Sequence, residues 1–206
     1  MEDKEIINQE KAESPVDVTM GLKMSGHILI KDKETGEELV NKRNAIHYGN
    51  MANMIARAMT DKLGDYYVHF MGFGNGATSV DTAGKVIYKS PRVSESYESS
   101  GTLYSRTYQK VVSNNTATDK IEVIPGPSYT DLKITCTLGY NEPSDADAFD
   151  TSTTQDGSYV FDELGLLSYA DDINDSILLT HVIFHPVQKS LNRIIEVIYT
   201  LRIQMT

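Results

Sequence analysis

The sequence predicts a mainly β protein: an antiparallel, β-sandwich-like domain with one inserted α-helix at about residues 48–63. Three observations predict it. The final run alternates. Ile195, Val197, Tyr199, Leu201, Ile203 and Met205 are apolar or aromatic, and between them lie Glu196, Thr200, Arg202 and Gln204, with only Ile198 departing from the pattern. That period of two marks a strand with one buried face. About eight such candidates are joined by polar linkers at irregular spacings of roughly ten to twenty residues, with no repeat. A single stretch, beginning near Tyr48, shows helical spacing instead.

Taken in order, residues 1–18 (MEDKEIINQEKAESPVDV) are charged and hold few apolar side chains. Such a segment buries too little surface to offset its ordering entropy. It is expected to be an arm, dispensable for folding and needed for assembly, ahead of one domain over residues 19–206. Leu22, Met24, Gly26, Ile28 and Ile30 share one side of a strand. DKETGE at 32–37 is a turn with a late glycine, and residues 38–42 return as the second arm of a hairpin. Asn44 is a candidate cap for the helix. The expected helical stripe is Tyr48, Ala52, Ile55, Met59 and Leu63, with Gly64 placed to end it.

Residues 66–73 (YYVHFMGF) form an aromatic strand running into Gly74-Asn75-Gly76. The glycines there predict a sharp turn with positive φ. Strand candidates follow at 85–88, 102–112 and 120–124, the last closed by Pro125-Gly126-Pro127. Leu132, Ile134, Cys136 and Leu138 alternate with polar neighbours, a half-buried strand. Residues 141–157 make a long acidic loop carrying Glu142, Asp145, Asp147, Asp150 and Asp156. In YVFDELGLL at 159–167, Asp162 and Glu163 interrupt the apolar run, which suggests a strand edge or a tight bend. Residues 177–184 (ILLTHVIF) suit a strand buried on both faces. Proline cannot donate to a ladder, so His185-Pro186 is expected to end it, and residues 187–193 have the length of a hairpin loop.

Composition narrows the function classes. The net charge of −10 argues against nucleic-acid wrapping, which calls for a basic footprint. No apolar run is long enough to span a bilayer, and no signal-peptide pattern opens the chain. One cysteine, Cys136, excludes an intrachain disulfide, and its apolar setting suits a core residue.

The candidate chemistry is thin. The glycine-rich turn at 74–76 lacks a following helix and a Walker lysine, so phosphate binding is not expected. Asp145, Asp147 and Asp156-Gly157 only faintly suggest a calcium loop, because the required spacing and terminal glutamate are missing. His181 and His185 would stand roughly 13 Å apart on a strand, too far for one metal. The remaining histidines, His27, His47 and His69, join no metal motif, and no G-x-S-x-G elbow occurs. No catalytic, cofactor-binding or metal residue is therefore assigned, and no enzyme activity is expected.

Three stretches together resemble virion structural proteins of tailed bacteriophages. They are LVNKRNAIHYGNMANMIARAM at 39–59, FMGFGNGATSVD at 70–81, and FDELGLL at 161–167 followed by LLTHVIFHPVQKSLNRIIEVIYTLRI at 178–203. In the last, an E-[LI]-G-L motif precedes a closing strand pair, as in tail and baseplate-associated proteins. The resemblance covers about half of the chain. It implies a multi-copy assembly protein of the virion, made in the host cytoplasm, placed in the neck, tail or baseplate or on the capsid. Its partners would be other virion proteins and further copies of itself, with neither nucleic acid nor membrane contacted directly. A carbohydrate-binding β-sandwich is the alternative from another class, although tryptophan, a favoured sugar platform, is absent.

Overall fold

A computed structural model describes residues 21–60, 67–140, 142–143 and 158–206. The expectations for the arm at 1–18, for Leu63 and Gly64 at the helix end, and for most of the acidic loop at 141–157 lie outside the described residues.

Within the described residues the chain runs β1 (Leu22–Asp32), β2 (Glu38–Arg43), β3 (Ala45–Ile46), α1 (Tyr48–Ala58), β4 (Val68–Gly74), β5 (Thr78–Val80), β6 (Val86–Tyr88), β7 (Arg106–Val111), β8 (Lys120–Pro125), β9 (Tyr129–Leu138), β10 (Ser158–Ser168), β11 (Thr180–Ser190) and β12 (Ile195–Met205). One sheet has the order β2-β1-β12-β9-β8, the other β3-β11-β10-β4-β7, and β5-β6 form a separate ribbon. Every pairing is antiparallel. The architecture is the β-sandwich-like one expected, with one α-helix among the described residues.

The centre of the first sheet is regular because its sequence alternates cleanly, and the slip of this sheet lies in the β1–β2 edge ladder, between Ile30 and Lys31. β12 lies at its centre and pairs with β1 from Leu22↔Met205 to Asp32↔Ile195 without a slip. Along β12, Ile195, Val197, Tyr199 and Leu201 are buried, while Glu196, Ile198 and Thr200 on the other face are only partly covered. Ile28, Ile30, Ile134, Cys136 and Leu138 extend that buried face, and they join Phe73, Phe161, Val182 and Phe184 of the second sheet in one core. The β1–β2 turn is tied by Asp32, whose Oδ1 accepts the amides of Glu34 and Thr35, both at 2.9 Å. Arg193 Nε donates to Asp32 Oδ2 at 2.6 Å, so one carboxylate fixes two neighbouring turns.

The second sheet departs from the expectations, each time for a physical reason. β11 does not stop at His185-Pro186; it continues to Ser190, and the ladder to β10 slips there instead, between Phe161↔Val187 and Glu163↔Ile183. The irregularity accommodates the missing proline donor. β11 and β12 do not form a hairpin: they lie in different sheets, and the connection between them crosses the sandwich. Asp162 and Glu163 do not lie at a sheet edge, and the irregularity at Asp162 is a slip within a continuous strand rather than a tight bend. They sit in β10, a central strand, with only 3% and 0% of their surfaces exposed.

The helix is also rotated relative to the expected stripe. Tyr48 is 63% and Met59 82% exposed, and Met51 is buried instead, with Met54 and Ile55 packed against the core. The cap is His47 rather than Asn44: His47 Nδ1 accepts from the Asn50 amide at 3.3 Å. Asn50 is fully buried because its side chain is saturated. Its Nδ2 donates to Leu178 O at 2.8 Å and to Glu98 O at 2.9 Å, and its Oδ1 accepts from Glu98 N at 2.7 Å. A polar residue thus takes a core position, and the helix turns to present it.

Candidate functional site

The densest polar constellation is built on β10 and β11. Glu163 Oε1 accepts from Ser105 N at 2.8 Å and from Gly76 N at 3.3 Å. Its Oε2 accepts from Tyr104 N at 2.9 Å and from His181 Nε2, also at 2.9 Å. His181 Nδ1 in turn accepts from Arg92 N at 2.7 Å, which fixes the proton on Nε2. Asp162 accepts from Ala77 N at 3.1 Å, from Thr78 N at 2.8 Å and from the Thr78 hydroxyl. Burial pushes the Glu163 carboxyl up, but hydrogen bonds from His181, Ser105 and Tyr104 outweigh it and hold the group below its ordinary value. Each of these two carboxylates costs several kcal/mol to bury unpaired, and here each is ringed by donors.

The glycines of 74–76 take their meaning from this cluster. Neither Gly74 nor Gly76 has positive φ; among the described glycines only Gly36 and Gly84 do. A Cβ on Gly74 would lie 2.4 Å from Ser105 O and 2.5 Å from Glu163 Oε1, and one on Gly76 would lie 2.7 Å from the Ser105 Cβ. The expected positive-φ turn is therefore corrected: Gly74 leaves room for the Glu163 carboxylate, and Gly76 leaves room for the close approach of Tyr104 and Ser105. The signal in the sequence was the pairing of a glycine-rich stretch with an acidic pair inside an apolar run, which no local rule connects.

A second cluster joins the two sheets. Lys110 Nζ on β7 donates to Thr137 O at 2.6 Å and to both oxygens of Glu142, at 3.1 and 2.8 Å. Asp119, 3.4 Å from the same ammonium, accepts from Thr137 N at 3.1 Å. Burial pulls the Lys110 ammonium down, but Glu142, Cys136 and Asp119 outweigh it and hold its pKa above the ordinary value. Cys136 is fully buried beside this cluster, and burial drives its thiol well up.

The histidines are dispersed. His181 is buried on Glu163, whereas His185 is exposed, with its Nδ1 3.2 Å from the Tyr88 hydroxyl. His27 contacts Asn41, and His47 lies 3.5 Å from Glu98. His69 contacts Ser113 at 2.6 Å among the rings of Tyr67, Phe70 and Tyr169, where burial lowers its pKa. Among the described residues no three His, Cys, Asp or Glu side chains gather as a metal site. Of the residues named for a calcium loop, Asp145, Asp147 and Asp156 lie outside the described residues.

Two surface features remain. The edge strand β8 exposes Val123 by 66% and Ile124 by 45%. A half-open cleft of about 600 Å³ lies between the 97–100 loop and the segment 168–177, lined among others by Tyr97, Ser99, Tyr169, Asp171, Asn174 and Asp175. Among the described residues no helix is long and apolar enough to cross a membrane. No family model matches the chain, and neither a curated protein nor a solved structure is significantly similar to it.

Proposed function

We propose that this chain is a non-enzymatic structural subunit of a tailed-phage virion, placed in the neck–tail–baseplate apparatus. A capsid decoration or head-fibre position is the alternative within that class. The observation that carries the reading is the edge strand β8. An edge offers unpaired main-chain groups to another chain, and edges that avoid pairing are blunted by charge, irregularity or cover. β8 carries such devices at its ends, Lys120 and Glu122 on one side and Pro125 on the other, but leaves Val123 and Ile124 exposed between them. Other copies or virion neighbours would add to this edge.

The buried ionisable groups support the same reading. Asp162, Glu163, His181 and Lys110 hold loops and sheets in place and are engaged within the chain. A rigid body with offered edges suits a part that is built in rather than one that turns over. The resemblance on residues 39–59, 70–81, 161–167 and 178–203 supplies the virion context. Quantitative mass spectrometry of purified virions tests it. A few to a dozen copies per particle is the expected result, and hundreds would move the chain to the capsid. Absence from particles that carry their full set of structural proteins would overturn the proposal.

A further inference from the structure

We propose that the cleft between the 97–100 loop and the segment 168–177 binds an uncharged saccharide. Its volume of about 600 Å³ lies within the range of ~300–1,000 Å³ that holds small molecules. Its lining combines what a sugar requires: flat apolar rings for the C–H faces, and closely spaced acceptors and donors for adjacent hydroxyls.

The rings are Tyr97 at the rim, half-exposed, and Tyr169. Tyr169 is held in place, stacked on Tyr67 with centroids 5.4 Å apart and planes 12° apart, and its hydroxyl donates to Asp171 Oδ1 at 2.8 Å. The acceptors are the carboxylates of Asp171 and Asp175, both exposed. Asn174 supplies a donor next to them. Arg106 Nη2 donates to Asn174 Oδ1 at 2.9 Å, which fixes the amide and leaves Nδ2 as the group that donates. Ser99 and Ser100 add hydroxyls from the opposite wall.

The segment is also set before any ligand arrives. Arg106 Nη1 and Ser176 Oγ both donate to Ile173 O, at 3.2 and 2.7 Å. Ser168 Oγ accepts from Ile177 N at 3.1 Å, and Asp172 accepts from Asn174 N at 2.9 Å. Little ordering is left to offset, which favours binding of a weakly held polar ligand. Charge then sets the class. Asp171, Asp172 and Asp175 give this segment three exposed carboxylates against one guanidinium, that of Arg106, which is bound to Asn174. Phosphorylated sugars, uronates and nucleotides are repelled, while neutral hexoses and N-acetylhexosamines are not. Tyrosine here fills the place that the absent tryptophan would hold.

This site does not depend on the virion reading, and copy number in particles is unaffected by its failure. The test is saturation-transfer NMR on the full chain with glucose, galactose, N-acetylglucosamine, N-acetylgalactosamine and their β-linked disaccharides, with glucuronic acid as the charged control. Transfer to at least one neutral sugar is expected, and none to glucuronic acid. A stronger signal from disaccharides than from monosaccharides identifies a polysaccharide as the source, and equal signals identify a free sugar. Y97A and D175N are both surface changes whose folding is checked by thermal melts. Each should weaken binding at least about tenfold, the loss of one good hydrogen bond or ring contact. No transfer to any neutral probe, equal transfer to glucuronic acid, or binding unchanged in both folded variants would each overturn the assignment.

Discussion

The two sheets of the sandwich are built under different constraints. The sheet centred on β12 has solvent on most of its outer face, the exception being the end of β9, where Thr135 and Thr137 are buried as well. The β1–β12, β9–β12 and β8–β9 ladders run without a slip, and the one slip of this sheet lies in the edge ladder β1–β2, between Ile30 and Lys31. The sheet centred on β10 is covered on both faces. Inside it meets the first sheet, and outside it carries the 75–105 excursion, where Leu103 packs on Leu167 and Leu178. From Phe161 to Ser168 every residue of β10 is buried. All of its longer ladders slip: β10–β11, β10–β4 and β4–β7. A strand with two buried faces has no solvent side on which to place a carboxylate, so Asp162 and Glu163 are matched to loop amides. The slip between Phe161 and Glu163 falls where that happens. The central ladders are therefore regular in the sheet that mostly faces water and irregular in the sheet that receives loops.

The sharpest way to break this contrast is in the regular sheet. Leu201 is 1% exposed on the inner face of β12, and Arg202, next to it, faces outward. L201D should lose more than about 4 kcal/mol and leave no soluble folded protein, because it buries an unpaired charge. R202D should remain soluble and cooperative in urea. It forfeits the paired bonds to Asp131, both at 2.8 Å, and the contact with the Tyr129 ring, but at an exposed position. Equal tolerance of the two variants would show that β12 has no single buried face.

In the irregular sheet, E163A should cost about 3–5 kcal/mol in urea denaturation, since four donors lose a fully buried acceptor. E163Q keeps the shape and one carbonyl oxygen and should recover part of the loss. Hydrogen exchange gives the local readout: the amides of Tyr104, Ser105 and Gly76 should lose protection in E163A beyond the general destabilisation. If they exchange no faster relative to β12, Glu163 does not hold the loops.

The smallest expected effect lies in the turns of the regular sheet. The Thr35 amide, with Arg193 and the Glu34 amide, holds the Asp32 carboxyl down to about 2, below its ordinary value of 3.8. The folded state thus binds this proton less readily than the unfolded chain. The contribution of Asp32 is complete above about pH 4 and is lost as pH falls through about 2. Melting temperatures should drop across that window, and D32N should flatten this part of the drop while lowering stability at pH 7. An identical acid profile in D32N would assign the acid sensitivity elsewhere.

How much was legible follows the same division. The alternation at 195–205, the hairpin at 23–42 and the burial of Cys136 were readable because each is local: a period of two, a turn with Gly36 at φ +76, an apolar neighbourhood. The strand at 132–138 was readable too, but it is not half-buried as expected, since Thr135 and Thr137 are covered by the packing of other segments. The candidate cleft was not readable, since Tyr97 and Asp175 are brought to one place only by the packing of the 97–100 loop on the second sheet. The sequence by itself determined the antiparallel sandwich class, most of the long strands and the start of the helix. Tertiary structure decided which sheet each strand joins, which face the helix buries, and that Asp162, Glu163 and the glycines of 74–76 form one cluster. The reason is physical. Strand periodicity records whether a face meets water, and it is silent on which distant backbone amides will meet a carboxylate once both faces are covered.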